Sequence, residues 1–235
     1  YGSFFKKLKN YSENWGNFCE IKINAPELLE IEIFKIPSSS KILLSSLTDC
    51  YQPLENKYQL TRKILKIILE SKREDLHWEI LTKSNLILRD LDLLKKIKNL
   101  EVGFTITTLN KENQKLLEPK ASSPFQRLEA LERLKKDGLS TYVFLAPILP
   151  FFTELEEIFL TFKGKVDYFV ADLLNLKEEN WFLLEKFLKK KQPQLLKKYQ
   201  EIYFQPINFL NYQKQLKEEL KFLSEKYQVL LELVF

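Results

Sequence analysis

The stretch SPFQRLEALERLKKDGLSTYVFLAP, residues 123–147, spells out a helix followed by a strand. Ser123 suits the N-cap, Pro124 the first helical position, and Gln126 completes a capping box in which side chains satisfy the backbone groups left over at a helix start. Phe125, Leu128, Leu131 and Leu134 recur at helical spacing and predict a buried stripe. Gly138 stands where a left-handed residue ends a helix, and Thr141–Ala146 is a short β-rich run.

The same alternation extends in both directions. Lys41–Leu47 reads as a strand ending in Thr48-Asp49, followed by a helix with Leu60, Ile64, Ile67 and Ile68 on one face. Trp78–Leu81 is the next strand, ending at Thr82-Lys83-Ser84, and its helix uses Leu91, Leu94 and Ile97. Val102–Thr107 and Val166–Ala171 supply two more strands, while Ala25–Phe34 reads as a helix after an extended piece at Cys19–Asn24. Strands alternating with helices predict an α/β fold with a parallel sheet of βα units.

From about Lys177 the pattern becomes Lys/Glu-rich amphipathic helix. Trp181, Leu184, Phe187 and Leu188 give one stripe, Leu216, Leu220 and Leu223 another, and Val229–Phe235 a closing strand. The division predicts a core over residues 1–175 and a helical extension over 176–235. Five strands in the core are one short of a six-strand partial barrel. The chain starts at Tyr1 and contains no Met, so the expectation is a first strand lying upstream of the recorded sequence.

Scarce residues exclude several chemistries. The five glycines, at 2, 16, 103, 138 and 164, allow neither a dinucleotide-binding nor a phosphate-loop motif. A single histidine, His77, excludes His-paired zinc motifs and reads as structural. Cys19 and Cys50 form neither a CxxC pair nor a disulfide framework. No apolar run reaches the roughly 18 residues of a membrane span, and no secretory signal is visible, so the expected location is the cytoplasm. The net charge of +5 from 37 basic and 32 acidic residues is mostly a solvated surface. Lys189-Lys190-Lys191 with Lys197-Lys198 is the basic cluster; no aromatic is interleaved with it, and nucleic acid is a partner class it leaves open. Phe151-Phe152 and Trp181 read as core or cap packing.

In parallel α/β folds, sites form at the carboxyl ends of strands. Those ends are Thr48-Asp49, Thr82-Lys83-Ser84, Thr105 with Thr107-Thr108 and Asn110, Pro147, and Asp172 with Asn175. Such a rim suits a polar ligand carrying an amine and a carboxylate. Asp49 would pair with the amine, while Lys83 and Thr105 would hold the carboxylate.

The blocks WGNFCEIKINAPELL (15–29), TDCYQPLE (48–55), LTR (60–62), TKS (82–84), RD (89–90), FTITT (104–108), EP (118–119), RLEA (127–130) and APILP (146–150) together resemble the radical S-adenosylmethionine (SAM) proteins related to spore photoproduct lyase. The resemblance implies a partial (β/α)6 TIM-like barrel with a helical C-terminal cap. It implies a 4Fe–4S cluster on a Cys-x3-Cys-x2-Cys loop, reductive cleavage of SAM to a 5′-deoxyadenosyl radical, and hydrogen abstraction from an unspecified substrate, with flavodoxin or ferredoxin as electron donor. By the same likeness Thr48, Asp49, Lys83 and Thr105 contact the methionine end of SAM and Ile148 packs the adenine. Arg127 is a candidate carboxylate contact or, alternatively, an exposed helix arginine.

Two departures accompany the likeness. The cysteine triplet is not in this sequence; Tyr1-Gly2-Ser3-Phe4 resembles the residues right after it, so the cluster cysteines are expected just upstream of Tyr1 and the recorded chain alone is expected to be inactive. The position of the hydrogen-donating cysteine of spore photoproduct lyase is Ser46 here, which leaves Cys50, beside Asp49, as the candidate functional thiol. Two other readings compete: a member without a cluster that binds SAM or serves as a scaffold, and a nucleic-acid-binding module using the basic C-terminal helices.

Overall fold

The computed structural model describes residues 18–176 and 178–235. Tyr1–Phe4 and the start of the block at Trp15 lie outside them. Helix α1 (Ala25–Glu32) runs into a 3₁₀ turn (Ile33–Lys35) and then β1 (Lys41–Leu44). Next come α2 (Glu55–Tyr58), α3 (Leu60–Ser71), β2 (His77–Thr82), α4 (Leu91–Leu94), β3 (Leu100–Thr105), α5 (Lys111–Leu117), α6 (Pro124–Lys136) and β4 (Ser140–Ile148). The chain continues through α7 (Leu155–Phe162), β5 (Tyr168–Leu173), α8 (Glu178–Lys191), α9 (Pro193–Tyr203), α10 (Pro206–Tyr227) and β6 (Leu230–Leu233). The six strands form one parallel sheet in chain order. Every strand-to-strand crossover carries helix, as parallel pairing requires.

Contacts divide the described residues into two compact units. One runs up to Thr105 and includes Lys120–Tyr142; the other takes Ile106–Pro119 and Val143–Phe235, so that β4 contributes to both.

In the first unit β1 pairs with β2 and β2 with β3, Leu43 standing opposite Glu79 and Leu81 opposite Gly103. One face of β2 and β3 buries Trp78, Ile80, Val102 and Phe104. Helix α6 follows the sequence reading closely: Ser123 and Gln126 make the capping box, and Gly138 ends the segment at φ 87°. Its stripe is Leu128, Leu131 and Leu134, but Phe125 is 47% exposed, because in the first turn it points away from that face. On α3 the buried seam is Thr61, Leu65 and Ile68. The expected Leu60, Ile64 and Ile67 flank it half-buried, one residue off the centre of the apolar arc. The helix expected around Leu91, Leu94 and Ile97 is only a 3₁₀ turn (Asn85–Asp90) and one turn of α-helix, since the chain there folds around the buried Asp90.

Within the second unit, Phe159 of α7 stacks on Phe169 of β5, centroids 4.6 Å apart. Leu149, Phe152, Leu188 and Tyr199 form a further cluster, with Trp181, Leu184 and Phe187 packed against it. Leu216, Leu220 and Leu223 bury one face of α10, and β6 pairs parallel to β5. The C-terminal segment therefore adds both helices and a strand. Among the described residues, no helix is long and apolar enough to cross a membrane.

Gly103 sets the spacing inside the first unit. A Cβ placed there would stand 2.2 Å from the Tyr142 ring. That ring is almost fully buried, with its hydroxyl bonded to the Glu79 carboxylate, so it cannot swing aside. We predict that Gly103→Ala costs about 1–3 kcal/mol by overpacking, and that the cost shrinks in a Tyr142→Ala background. Urea titration of the single and double variants measures it; a full additive cost in the double variant contradicts the contact.

Candidate functional site

Thr48 and Asp49 follow β1 in a turn where Ser45 adopts φ 67° and donates to the Thr48 carbonyl at 2.6 Å. The Ser45 and Thr48 hydroxyls lie 3.2 Å apart. Asp49 is the junction of two strand ends. Its carboxylate accepts from the Tyr51 N–H at 2.8 Å, from the Thr82 hydroxyl at 2.7 and 2.9 Å, and from the Lys83 N–H at 2.7 Å. Thr82 in turn accepts from the Ser84 N–H at 3.0 Å. The loop after β1 is thereby tied to the carboxyl end of β2.

Behind this loop lies a buried ionic network. Asp90, with no exposed surface, accepts from Arg89 Nε and Nη2 at 2.9 and 2.6 Å, from Arg62 Nη1 at 2.8 Å, and from the Tyr51 hydroxyl at 3.3 Å. Arg89 also reaches the carbonyl and the carboxylate of Glu55, and Arg62 forks onto Asp92. Two guanidiniums thus face three carboxylates, with every charge hydrogen-bonded, the condition under which burial of ions is tolerated. Burial, then the negative Asp90, pushes the Tyr51 phenol well above its usual range and keeps it a donor. Thr61 closes the frame by donating to the Cys50 carbonyl at 2.6 Å.

Lys83 continues from β2, and its carbonyl accepts from the Ser122 N–H at 3.1 Å. Arg127 is not an exposed helix arginine. It is 1% exposed, donating from Nε to the Ser122 carbonyl at 2.8 Å and from Nη1 to the Thr105 carbonyl at 2.6 Å. It fastens the carboxyl end of β3, where Thr105 is also buried, to the turn before α6. Thr48, Asp49, Lys83, Thr105 and Arg127 thus belong to one hydrogen-bonded set of strand ends in the first unit. Ile148 is buried at the end of β4 in the second unit.

Several rim residues are committed elsewhere. Thr107 bonds Glu118, Thr108 bonds Glu154, and Asn110 caps α5. Asp172 is half-buried, and desolvation raises its carboxyl above the ordinary value. Of the residues that hold the site, Thr82 was legible as a strand end, whereas Tyr51, Glu55, Arg62, Arg89 and Asp90 were visible in the sequence only as members of the resemblance blocks. The available signal was charge at one place: Arg89-Asp90 interrupt the apolar run between Leu86-Ile87-Leu88 and Leu91.

Cys50 sits beside Asp49 with its thiol pushed far up, first by burial and then by that carboxylate. Cys19 is exposed and lies 3.8 Å from the Gln52 amide oxygen. Among the described residues, no group of three His, Cys, Asp or Glu could hold a metal ion. His77 is exposed at the amino end of β2, where it lines a cleft of about 720 Å³ at the end of the strands opposite Asp49.

Residues 28–162 match the model of the Radical SAM superfamily. An uncharacterized protein of Methanocaldococcus jannaschii is 38% identical over 182 residues, which are 77% of this chain and 67% of that protein. An uncharacterized protein of Acidianus two-tailed virus is 34% identical over 58% of this chain and 44% of its own. One from Mycobacterium tuberculosis is 26% identical over 89% of this chain and 64% of its own. The chain thus spans between 44% and 67% of these relatives' lengths. Among solved structures, a spore photoproduct lyase variant superimposes with a TM-score of 0.68 at 14% identity, over 90% of this chain and 66% of the other. Another, with dinucleoside spore photoproduct, gives 0.66 at 14% identity, covering 90% and 67%. The fold is accordingly that of the TIM-like partial barrels.

Two outcomes follow from this geometry. Asp90→Asn leaves Arg62 and Arg89 facing an uncharged buried group and is expected to cost about 3 kcal/mol or more in urea unfolding, with a much smaller effect for Asp92→Asn; equal effects would contradict the network. Because the Cys50 thiol keeps its proton at pH 8 and the thiolate is the nucleophile, iodoacetamide should label Cys19 and spare Cys50 in the folded chain. Comparable labelling of both, read by peptide mass spectrometry, would overturn the burial argument.

Proposed function

The chain belongs to the radical SAM superfamily, and on that premise we propose that its carboxyl-end loops after β1, β2 and β3 cradle the methionine end of S-adenosylmethionine in a radical SAM enzyme. The observation that carries the reading is the convergence of Thr48, Asp49, Lys83 and Thr105 on neighbouring strand ends held by Thr82 and Arg127. The donor set suits a zwitterion: a carboxylate and hydroxyls for the amine, an ammonium and a hydroxyl for the carboxylate. Asp49 has a second task, since its carboxylate already holds Thr82 and the Lys83 backbone. It orients Lys83 whether or not it also touches the ligand. Arg127 acts by positioning Thr105.

A 4Fe–4S cluster supplies the electron that turns bound SAM into a 5′-deoxyadenosyl radical in such enzymes. The residues of this chain do not fit that cluster. It has two cysteines, one exposed and one with a firmly protonated thiol, and three thiolates are needed. What this chain contributes is therefore binding and orientation of SAM. Substrate and reductant belong to the whole protein, with a flavodoxin- or ferredoxin-type donor as the proposed electron source. Cys50, with its proton retained beside the site, is the chain's candidate for a hydrogen-donating thiol. A second reading is a SAM-binding member that does no radical chemistry. Iron and sulfide analysis of the whole protein after anaerobic reconstitution separates the two.

Calorimetric titration with SAM tests the cradle. Asp49→Ala and Thr105→Ala should each weaken binding by at least about fivefold, as expected for lost hydrogen bonds to charged groups. Unchanged affinity in both variants would remove the proposed contacts.

A further inference from the structure

The helices α8, α9 and α10 lie beyond residue 162, outside the part matched by the superfamily model. One local feature of this second unit is costly and leaves its side chain half outside the core. Phe151 adopts φ 68°, a left-handed conformation unfavourable for a bulky side chain, yet it remains 53% exposed. Such strain costs about 1–3 kcal/mol and persists only when surroundings impose it. Here they do. Phe152 is buried beside it, the Thr153 hydroxyl accepts from the Leu149 N–H at 2.9 Å, and the buried Tyr199 hydroxyl donates to the Pro150 carbonyl at 2.7 Å. Phe151 is therefore displayed on a fixed turn.

Its surroundings complete a site. Tyr199 supports the ring edge-on, centroids 6.0 Å apart, and Lys198 Nζ stands 5.2 Å from the ring centroid. The ring lines a groove of about 380 Å³ between α9 and α10, shared with Lys198 and with the exposed amides of Asn211 and Gln215. Nearby in the aromatic stack, the Tyr203 hydroxyl is buried without a hydrogen-bond partner, a further cost in the same place. Lys189, Lys190 and Lys191 end α8, Lys189 paired with Glu185 at 2.9 Å, and Lys197 and Lys198 follow on the adjoining α9. Glu201 of the groove is offset by Lys197 at 3.8 Å, so the charge beside Phe151 is that of Lys198. The basic cluster thus acquires from the turn after β4 the aromatic platform that no neighbour in sequence supplies.

We propose that this groove binds single-stranded nucleic acid, one base stacking on Phe151 while Lys198 meets the adjoining phosphate and Lys190 and Lys191, at the end of the neighbouring helix, extend the cationic track. Every base offers a π-face, and aromatic side chains beside a cationic track bind single strands largely irrespective of sequence. The amides of Asn211 and Gln215 supply donors and acceptors for a base edge. An acidic peptide would use the lysines but would have no use for a strained, exposed ring. On stacking, the Lys198 ammonium leaves the ring face for a phosphate without leaving the groove.

Fluorescence anisotropy with the full chain, without iron or SAM, and a labelled oligothymidylate of about 12 nucleotides tests the site, so failure here is separate from failure of the SAM reading. Affinity should fall steeply with salt. Phe151→Leu should weaken binding about tenfold, and Lys198→Gln should weaken it while lowering the salt slope. Polyglutamate of equal charge should compete poorly. Thermal melts establish that Phe151→Leu is folded; should it not fold, the exposed Lys198→Gln and Asn211→Asp carry the test, both expected to weaken binding. No binding at low salt, an unaltered affinity in folded Phe151→Leu, or displacement by polyglutamate as effective as by oligonucleotide would overturn the proposal. So would unaltered affinity in both surface variants.

Discussion

Asp90 is a carboxylate with no exposed surface, and the arrangement of the first unit's site follows from the need to satisfy it. Its charge is compensated by Arg62 from α3 and by Arg89 from the turn after β2, while the Tyr51 hydroxyl completes its shell. Each partner belongs to a different segment, so satisfying one carboxylate fixes three pieces of chain at once. Tyr51 is two residues from Asp49, and that short link transmits the constraint from the buried network to the strand-end loop. Low dielectric makes each bond stronger and any missing one expensive, which is why such networks occur complete or not at all.

Asp49 and Arg127 then perform the same service closer to the ends of the strands. One joins the loop after β1 to Thr82 and Lys83, and the other joins Thr105 to the turn before α6. Both use charge-assisted bonds to backbone groups that would otherwise lie unsatisfied at strand ends. A ligand entering there meets groups already held in place, which lowers the entropy lost on binding. Beneath, Gly103 lets the Tyr142 ring cross the strand and reach Glu79, so close packing inside the unit depends on a missing side chain.

The second unit distributes its residues differently. Its core is aromatic and aliphatic, with Phe159 on Phe169 and Phe152 among Leu149, Leu188 and Tyr199. Adjacent residues there have opposite fates. Phe152 is buried, whereas Phe151 is turned outward by a left-handed backbone that Tyr199 helps to hold. The reading of the Phe151-Phe152 pair as packing is right for one ring and wrong for the other, because periodicity carries no information about a single inverted φ.

Sequence by itself determined the α/β class, the order of strands and helices, the caps of α6 and the residues at the strand ends, because these depend on local chemistry: apolar period, hydroxyls and prolines at helix starts, glycine where φ is positive. The resemblance blocks further placed the chain in its superfamily, as the match over residues 28–162 bears out. Tertiary structure alone decided that Arg127 is a buried fastener, that Arg62, Arg89 and Asp90 share one network, that the seam of α3 runs through Thr61, Leu65 and Ile68, and that Phe151 stands beside Lys198. The physical reason is common to all four. A charge's partner and a helix's buried azimuth are set by what packs opposite, and those groups come from segments whose separation along the chain leaves no periodic trace.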